Sequence, residues 1–345
     1  MRYSRLITQR RLTALKTKLK GISYSKYGYL FSIPFFVAFM IFTLYPTIYT
    51  ATLGFTDCRG VLGPENYHLL EHPWDNYKTI LQNESFKVSL KNTVVIWVMN
   101  FVPQITLALL LTAWFTSHTN EIKGKGFFKV VFYMPNIITA ATVAILFRTF
   151  FQYPIGPIND FLLSTGIRDN AFYFLNSKTA SKIIIAFIQF WIWYGNTMIV
   201  LISGVLGISP DIYEAAEIDG ANGVQTFFKI TIPNIKTVLL YTLVTSLVGG
   251  LNMFDIPCLF NNKGGPDNAT LTTSVFIYKQ AFDGSYLYNR AAAASMIMWV
   301  IIALCSAVLF FIMRDKDQIK LDKEVKKARK EAKRAVKGGV DQWQL

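Results

Sequence analysis

Two groups of residues have the types and spacing to do chemical work. Gln189, Trp193, Tyr194, Asn196 and Thr197 stand close together, and Asn252 and Asp255 follow, three apart and able to share one helix face. Planar amides hydrogen-bond hydroxyls, and aromatic faces cover apolar C–H surface, so this set suits a saccharide. The competing use for the same side chains is to satisfy one another between helices. Asp255 serves equally well to end an apolar run. Asn100, Gln104 and Asn136 read as packing contacts.

The second group is the stretch 209–233. Ser209 is placed to cap a helix, with Pro210 at its first position and Asp211 at the favourable end of the dipole. Helix formers run to Asp219, and Gly220 can take the left-handed conformation that ends a helix. Asn222 and Gln225 then form a capping box, opening a second helix that Pro233 stops after Ile232. Ala215 and Ala216 permit close approach of another surface. Glu214, Glu217 and Asp219 offer charge to a basic partner, and Phe227, Phe228 and Ile230 anchor the second helix.

Other motifs carry less. His68-Leu69-Leu70-Glu71-His72 has zinc-site spacing, but Pro73 follows at once and the remaining histidine, His118, lies far along the chain, so a surface loop is the reading. Cys58, Cys258 and Cys305 form no spaced pair and read as inert thiols. No G-x-x-x-x-G-K-[ST] occurs, so the chain has no nucleotide-binding loop of that kind and no cofactor is expected.

The elements that must hold these groups are membrane spans. Of 345 residues, 52% are hydrophobic and only 16% charged, against about 25% charged in soluble domains. Six uncharged runs are long enough to cross about 30 Å of hydrocarbon: Tyr27–Phe55, Thr93–Phe115, Val130–Phe147, Ile183–Pro210, Thr237–Phe254 and Ala291–Met313. The first is too long for a cleaved signal peptide. The fold expected is an all-α polytopic membrane domain of six transmembrane helices over residues 27–313, carrying the helix–turn–helix in its 207–236 loop.

The formal net charge of +14 is concentrated in two tails, 1–26 and 314–345, which contribute +8 and +5. Charge that flanks apolar runs marks a cytoplasmic, lipid-facing flank and not a nucleic-acid site. With both termini inside, 24 of the 35 Lys and Arg fall on inner segments. The outer loops are then roughly 56–91, 152–182 and 255–290, the first and third ordered by turn residues and aromatics. A charged helix is expected over Leu321–Lys337.

Glu214-Ala215-Ala216, Asp219-Gly220-Ala221, Phe227, Ile230 and Pro233 resemble the EAA loop of ABC importer permeases. Asp75-Asn76-Tyr77, Leu90-Lys91-Asn92-Thr93, Gly124 to Phe128, Tyr213 onward and Gly264-Gly265-Pro266 resemble its carbohydrate-uptake branch, with the maltose-permease-like subunit nearest. Asn289-Arg290 depart from the family's Gly-aromatic pair, and Ile232 replaces a common Leu. The resemblance implies a non-enzymatic permease in the bacterial cytoplasmic membrane. Its implied partners are separate ATPase subunits, a second related permease as heterodimer, and an extracytoplasmic solute-binding protein. It implies ATPase docking through Tyr213, Glu214, Ala215, Ala216, Asp219, Gly220 and Ala221, and a substrate path in the fourth and fifth spans. A glycerol-phosphate-like solute is the runner-up substrate. An ion-coupled secondary transporter lacks the buried carboxylates it needs, since Asp255 is the only acid near a span. A basic scaffold would leave the EAA loop unexplained.

Overall fold

A computed structural model describes residues 25–60, 67–117, 123–284, 286–313 and 323–327. The first uncharged run forms α1 (Ser25–Phe39) and α2 (Tyr45–Leu53), joined by a π-helical turn at Met40–Leu44. Tyr45 N–H reaches back five residues to the Met40 carbonyl, immediately before Pro46. Widening the helix there relieves the clash a proline ring makes with the carbonyl four residues back.

At the end opposite the 207–236 loop, α3 (Asp75–Gln82) leads into α4 (Glu84–Phe115). The Asn83 side chain caps α4 by accepting from Phe86 N–H at 3.0 Å. The third run is not one straight crossing. It is α5 (Lys125–Ile137) and α6 (Ala140–Phe150), bent by 86°. Thr139 is extended and its side chain accepts from Thr142 N–H, so it starts a new helix where the uncharged run alone predicts continuity. After α7 (Pro157–Ser164) comes α8 (Lys178–Leu206), then α9 (Pro210–Ile218) and α10 (Gly223–Thr226) in the loop.

Past α10 the chain also departs from expectation. A π turn at Phe227–Thr231 carries the helix through Pro233 into α11 (Ile232–Asn234), so the proline does not stop it. The reason is the one seen at Pro46: Ile232 N–H bonds the Phe227 carbonyl five residues back. The fifth run is α12 (Lys236–Leu251) with a short turn before α13 (Asp255–Phe260); α14 (Thr273–Phe282) and α15 (Tyr288–Met313) complete the chain. Among the described residues five helices are long and apolar enough to cross a membrane, six with the bent pair counted as one. Of the helix expected over Leu321–Lys337, only 323–327 falls among the described residues, and it is helical; the N-terminal tail lies outside them up to residue 24.

The α8 helix is the axle. Half of its apolar window is buried, against 6% in α15 and none in the first span. Ile185, Ile188 and Ile192 pack with Ile96, Val143, Ile256 and Phe260. Toward the 207–236 loop, Met198, Leu201 and Val205 pack with Phe115 and Ile235. Other apolar side chains of the spans, among them Val98, Leu110, Val300 and Leu304, are exposed on the outside of the bundle, where lipid would cover them.

Buried amides stitch the opposite, capped end. Asn76 donates to the carbonyls of Gly54 at 2.9 Å and Thr56 at 2.8 Å, and accepts from Asn289 at 3.1 Å. Asn92 donates to the carbonyls of Asn268 and Leu271. Asn289, a departure from the family pattern, is fully buried and ties the start of α15 to α3. Asn289→Leu leaves the Asn76 oxygen without that donor and should cost about 1–3 kcal/mol, read as a lowered unfolding midpoint in detergent. Because the two amides share one bond, Asn76→Leu with Asn289→Leu should cost less than the two changes added separately.

Candidate functional site

A cleft of about 240 Å³ opens between α4, α8 and α12. From α8 come Gln189, Trp193, Asn196, Thr197 and Val200; from α4, Asn100 and Gln104. The α12 wall is Tyr241, Thr242, Thr245 and Ser246, with Gly249 and Gly250. None of these side chains carries a charge at neutral pH.

Some of the polar atoms are already spoken for. Gln104 donates to Thr197 Oγ1 at 2.8 Å, and Asn100 donates to the Ile96 carbonyl one turn back. Thr245 donates to the Tyr241 carbonyl. Gln189 and Asn196 make no hydrogen bond among the described residues, so both amides are left for whatever enters. Trp193 and Tyr241, 47% and 59% exposed, present apolar faces beside them. Free amides flanked by open aromatic faces bind hydroxylated rings well and bare ions poorly.

Of the seven path residues expected from sequence, four line this cleft: Gln189, Trp193, Asn196 and Thr197. Tyr194 does not. It is buried on the other side of α8, packed with Met198 and Leu201 and in edge contact with Phe132. Asn252 is exposed beyond the end of α12, its amide turned back to the Val248 carbonyl, and Asp255 opens α13; neither lines the cleft. Asn100 and Gln104, assigned to packing, make packing bonds and also line it, whereas Asn136 donates to the Ile192 carbonyl away from it. The α12 wall was missed, although Tyr241, Thr242, Thr245, Ser246 and Gly249 recur on one helical face and a periodicity count would find them.

The loop between α8 and α12 is built mostly as its sequence suggests. Pro210 opens α9, and the Ser209 hydroxyl turns to Asp211 instead of capping the backbone. Gly220 has φ +76°, and Ala221 N–H closes on the Ala216 carbonyl at 2.9 Å. Asn222 and Gln225 form the reciprocal capping box, with bonds of 2.9 and 3.0 Å. Ala216 is buried, and the Tyr213 hydroxyl lies 3.2 Å from buried Thr231 Oγ1. Glu214, Ala215, Glu217, Asp219 and Gly220 are exposed. Phe228, expected to anchor the second helix, is instead 63% exposed, as the π turn rotates it outward.

At the capped end, Lys178 Nζ pairs with Asp267 Oδ2 at 2.8 Å, joining the start of α8 to the Gly264-Gly265-Pro266 loop. This hydrogen bond, and the charge behind it, holds the Asp267 carboxyl below its ordinary 3.8. A lowered folded value means the contribution is present above the ordinary carboxylate range and is lost as pH falls through the lowered value. Amide-exchange protection of residues 261–270 should therefore drop on acidification in the wild type. In Asp267→Asn it should be reduced from the start and lose this acid step.

Residues 82–316 match the model of the binding-protein-dependent transport system inner membrane component family. The chain belongs to that family, in its carbohydrate-uptake branch. The match takes in both the cleft and the loop, and leaves α1 and α2 outside. Among similar permeases, the lactose transport system permease protein LacF of Rhizobium radiobacter is 30% identical over 305 residues, 88% of this chain and 99% of that one. The arabinooligosaccharides transport system permease protein AraP of Bacillus subtilis is 28% identical over 295 residues, covering 84% and 90%. The solved structure of a bacterial alginate ABC transporter, in complex with an alginate pentasaccharide-bound periplasmic protein, has a chain 25% identical with TM-score 0.66, covering 85% of this permease and 96% of that chain. These relatives are transport permeases and not enzymes, and this chain is a multi-pass plasma-membrane protein.

Proposed function

We propose that this sugar permease moves an oligosaccharide by ATP-driven alternating access, with a separate ATPase docked on Glu214, Ala215, Asp219 and Gly220 of the loop. One observation carries the reading. The loop hangs directly from α8 and α12, the two helices that form facing walls of the neutral cleft, so a displacement of α9 acts on both walls at once. Buried Ala216 and the Tyr213–Thr231 contact make the loop rigid enough to transmit that push. Rigid-body motion of packed helices is then sufficient to expose the cleft alternately to either side.

The remaining features fit the same scheme. Both termini lie in the cytoplasm with the loop, on the strength of the basic tails. The capped end receives an external solute-binding protein. A second, related permease covers the exposed Trp193 and Tyr241 edge of the cleft, completing a heterodimer. The relatives' names, which specify lactose and arabinooligosaccharides, support a saccharide of more than one unit.

The test is purification of the chain from its native membrane in mild detergent, with mass spectrometry of what accompanies it. A nucleotide-loop ATPase and a second polytopic chain are expected with the wild type, and Glu214→Lys should lose the ATPase alone. An intact chain that brings no ATPase would instead support an ion-coupled transporter.

A further inference from the structure

Above the cleft three lysines gather, and among the described residues the fold gives a stabilising partner to one of them alone. Lys178 and Lys182 occupy the first two turns of α8, one turn apart, and Lys91 lies in the first part of α4, which packs along α8. A helix N-terminus carries partial positive charge, so cations there are disfavoured, and their mutual repulsion adds to the cost. Of the three, Lys178 alone has an acidic partner among the described residues, Asp267. Among the described residues neither Lys91 nor half-buried Lys182 pairs with a carboxylate, and Asp255 makes no ion pair with either. Cations on the outer side also run against the charge bias that orients the chain.

Their position relative to the cleft supplies a purpose. Lys182, Gln189, Trp193 and Asn196 fall at seven-, four- and three-residue intervals, one stripe along α8. Seven residues correspond to about 10 Å of helix, so Lys182 stands roughly one to two sugar rings above the free Gln189 amide. A ligand in contact with the amides and aromatics would present its outer end to the ammonium group.

We propose that this permease selects saccharides bearing an acidic group, carboxylate or phosphate, and that Lys182 is the specificity-determining residue at the outer mouth. The inference rests on the importer reading. The neutral cleft then recognises the sugar ring by hydrogen bonding and stacking, while the mouth recognises its charge and raises the local concentration of anions.

The test uses the whole transporter, purified with its partners and reconstituted in ATP-loaded vesicles. It is offered a mixture of maltodextrins, oligogalacturonates and sugar phosphates, and mass spectrometry reads what accumulates. Acidic members should accumulate, and Lys182→Gln should slow them about tenfold while leaving any neutral uptake intact. Lys182→Arg should retain most of the rate, and added salt should slow the wild type more than Lys182→Gln. Accumulation of neutral members only, or a glutamine variant as fast as wild type on acidic ones, would overturn the proposal and leave the importer reading standing. Equal loss on acidic and neutral sugars, varying with the phosphatidylglycerol content of the vesicles, would assign the lysine to lipid headgroups and overturn it too. If no sugar accumulates, the importer reading itself falls, and this proposal with it.

Discussion

Gly220→Pro is expected to abolish ATP-driven uptake, to below about a tenth of wild type, while the membrane bundle stays folded. Gly220 has φ +76°, which a proline ring fixed near −65° cannot adopt. Proline would also delete the N–H that donates to the Glu217 carbonyl at 3.0 Å. A Cβ at this position meets nothing within 4 Å, so the cost is entirely in the backbone and entirely in the turn between α9 and α10. That separates the series cleanly. Gly220→Ala should cost about 1–2 kcal/mol for the left-handed conformation and give partial uptake. Gly220→Asn, whose side chain tolerates that conformation, should stay near wild type. Uptake in reconstituted vesicles, with the ATPase-to-permease ratio after purification, reads both consequences. Wild-type uptake by the proline variant would remove α9 from the coupling role.

The same loop shows what a sequence can make legible. Caps and turns are decided by residues three or four apart, so Gly220 and the Asn222–Gln225 box could be read directly, and the fold places them as read. Span lengths were equally readable, because charge is excluded from hydrocarbon over a fixed thickness. Axis direction was not. An uncharged run reports how long a segment is, and only the Thr139 cap reveals that the third run turns by 86°. The π turn before Pro233 was missed because that proline was read as a stop, when a wider turn accommodates it, and the π turn before Pro46 leaves no mark in an uncharged run. In the cleft, composition picked out residues and periodicity would have sorted them. Trp193 shares a face with Gln189, Asn196 and Val200, whereas Tyr194 shares one with Met198, Leu201 and Val205, so neighbours in sequence serve cleft and core respectively. Asn76 and Asn92 read as family markers and Asn289 as a departure from the pattern; the work of all three as stitches between distant segments required the three-dimensional partners.

Gly195→Ala should be among the most damaging single changes in the membrane region, and Gly195→Leu should prevent folding. At Gly195 the α5 and α8 backbones come together without side chains between them. A Cβ there would land on the Phe132 carbonyl oxygen and stand 2.9 Å from the Phe132 carbonyl carbon and the Tyr133 Cα. Backbone cannot rotate away as a side chain can, so α5 has to move as a unit. Overpacking of this kind costs about 1–3 kcal/mol and occasionally more, and small residues at helix crossings in membranes exist to avoid it. The displacement would also break the Asn136 bond to the Ile192 carbonyl and the Phe132–Tyr194 ring contact, both within one turn of Gly195 on α8. Trp193 and Asn196 flank Gly195, so the cleft is disturbed by the same shift that weakens the core. Folded yield and unfolding midpoint in detergent measure the first effect, and uptake by the surviving fraction measures the second. Gly126→Ala is the control on the facing helix α5: its Cβ meets nothing within 4 Å, and it should raise stability by up to about 1 kcal/mol through helix propensity. A Gly195→Ala protein as stable as wild type would mean that α5 does not sit against α8 at this crossing, and the bent third span would then lack its close seat on the axle of the fold.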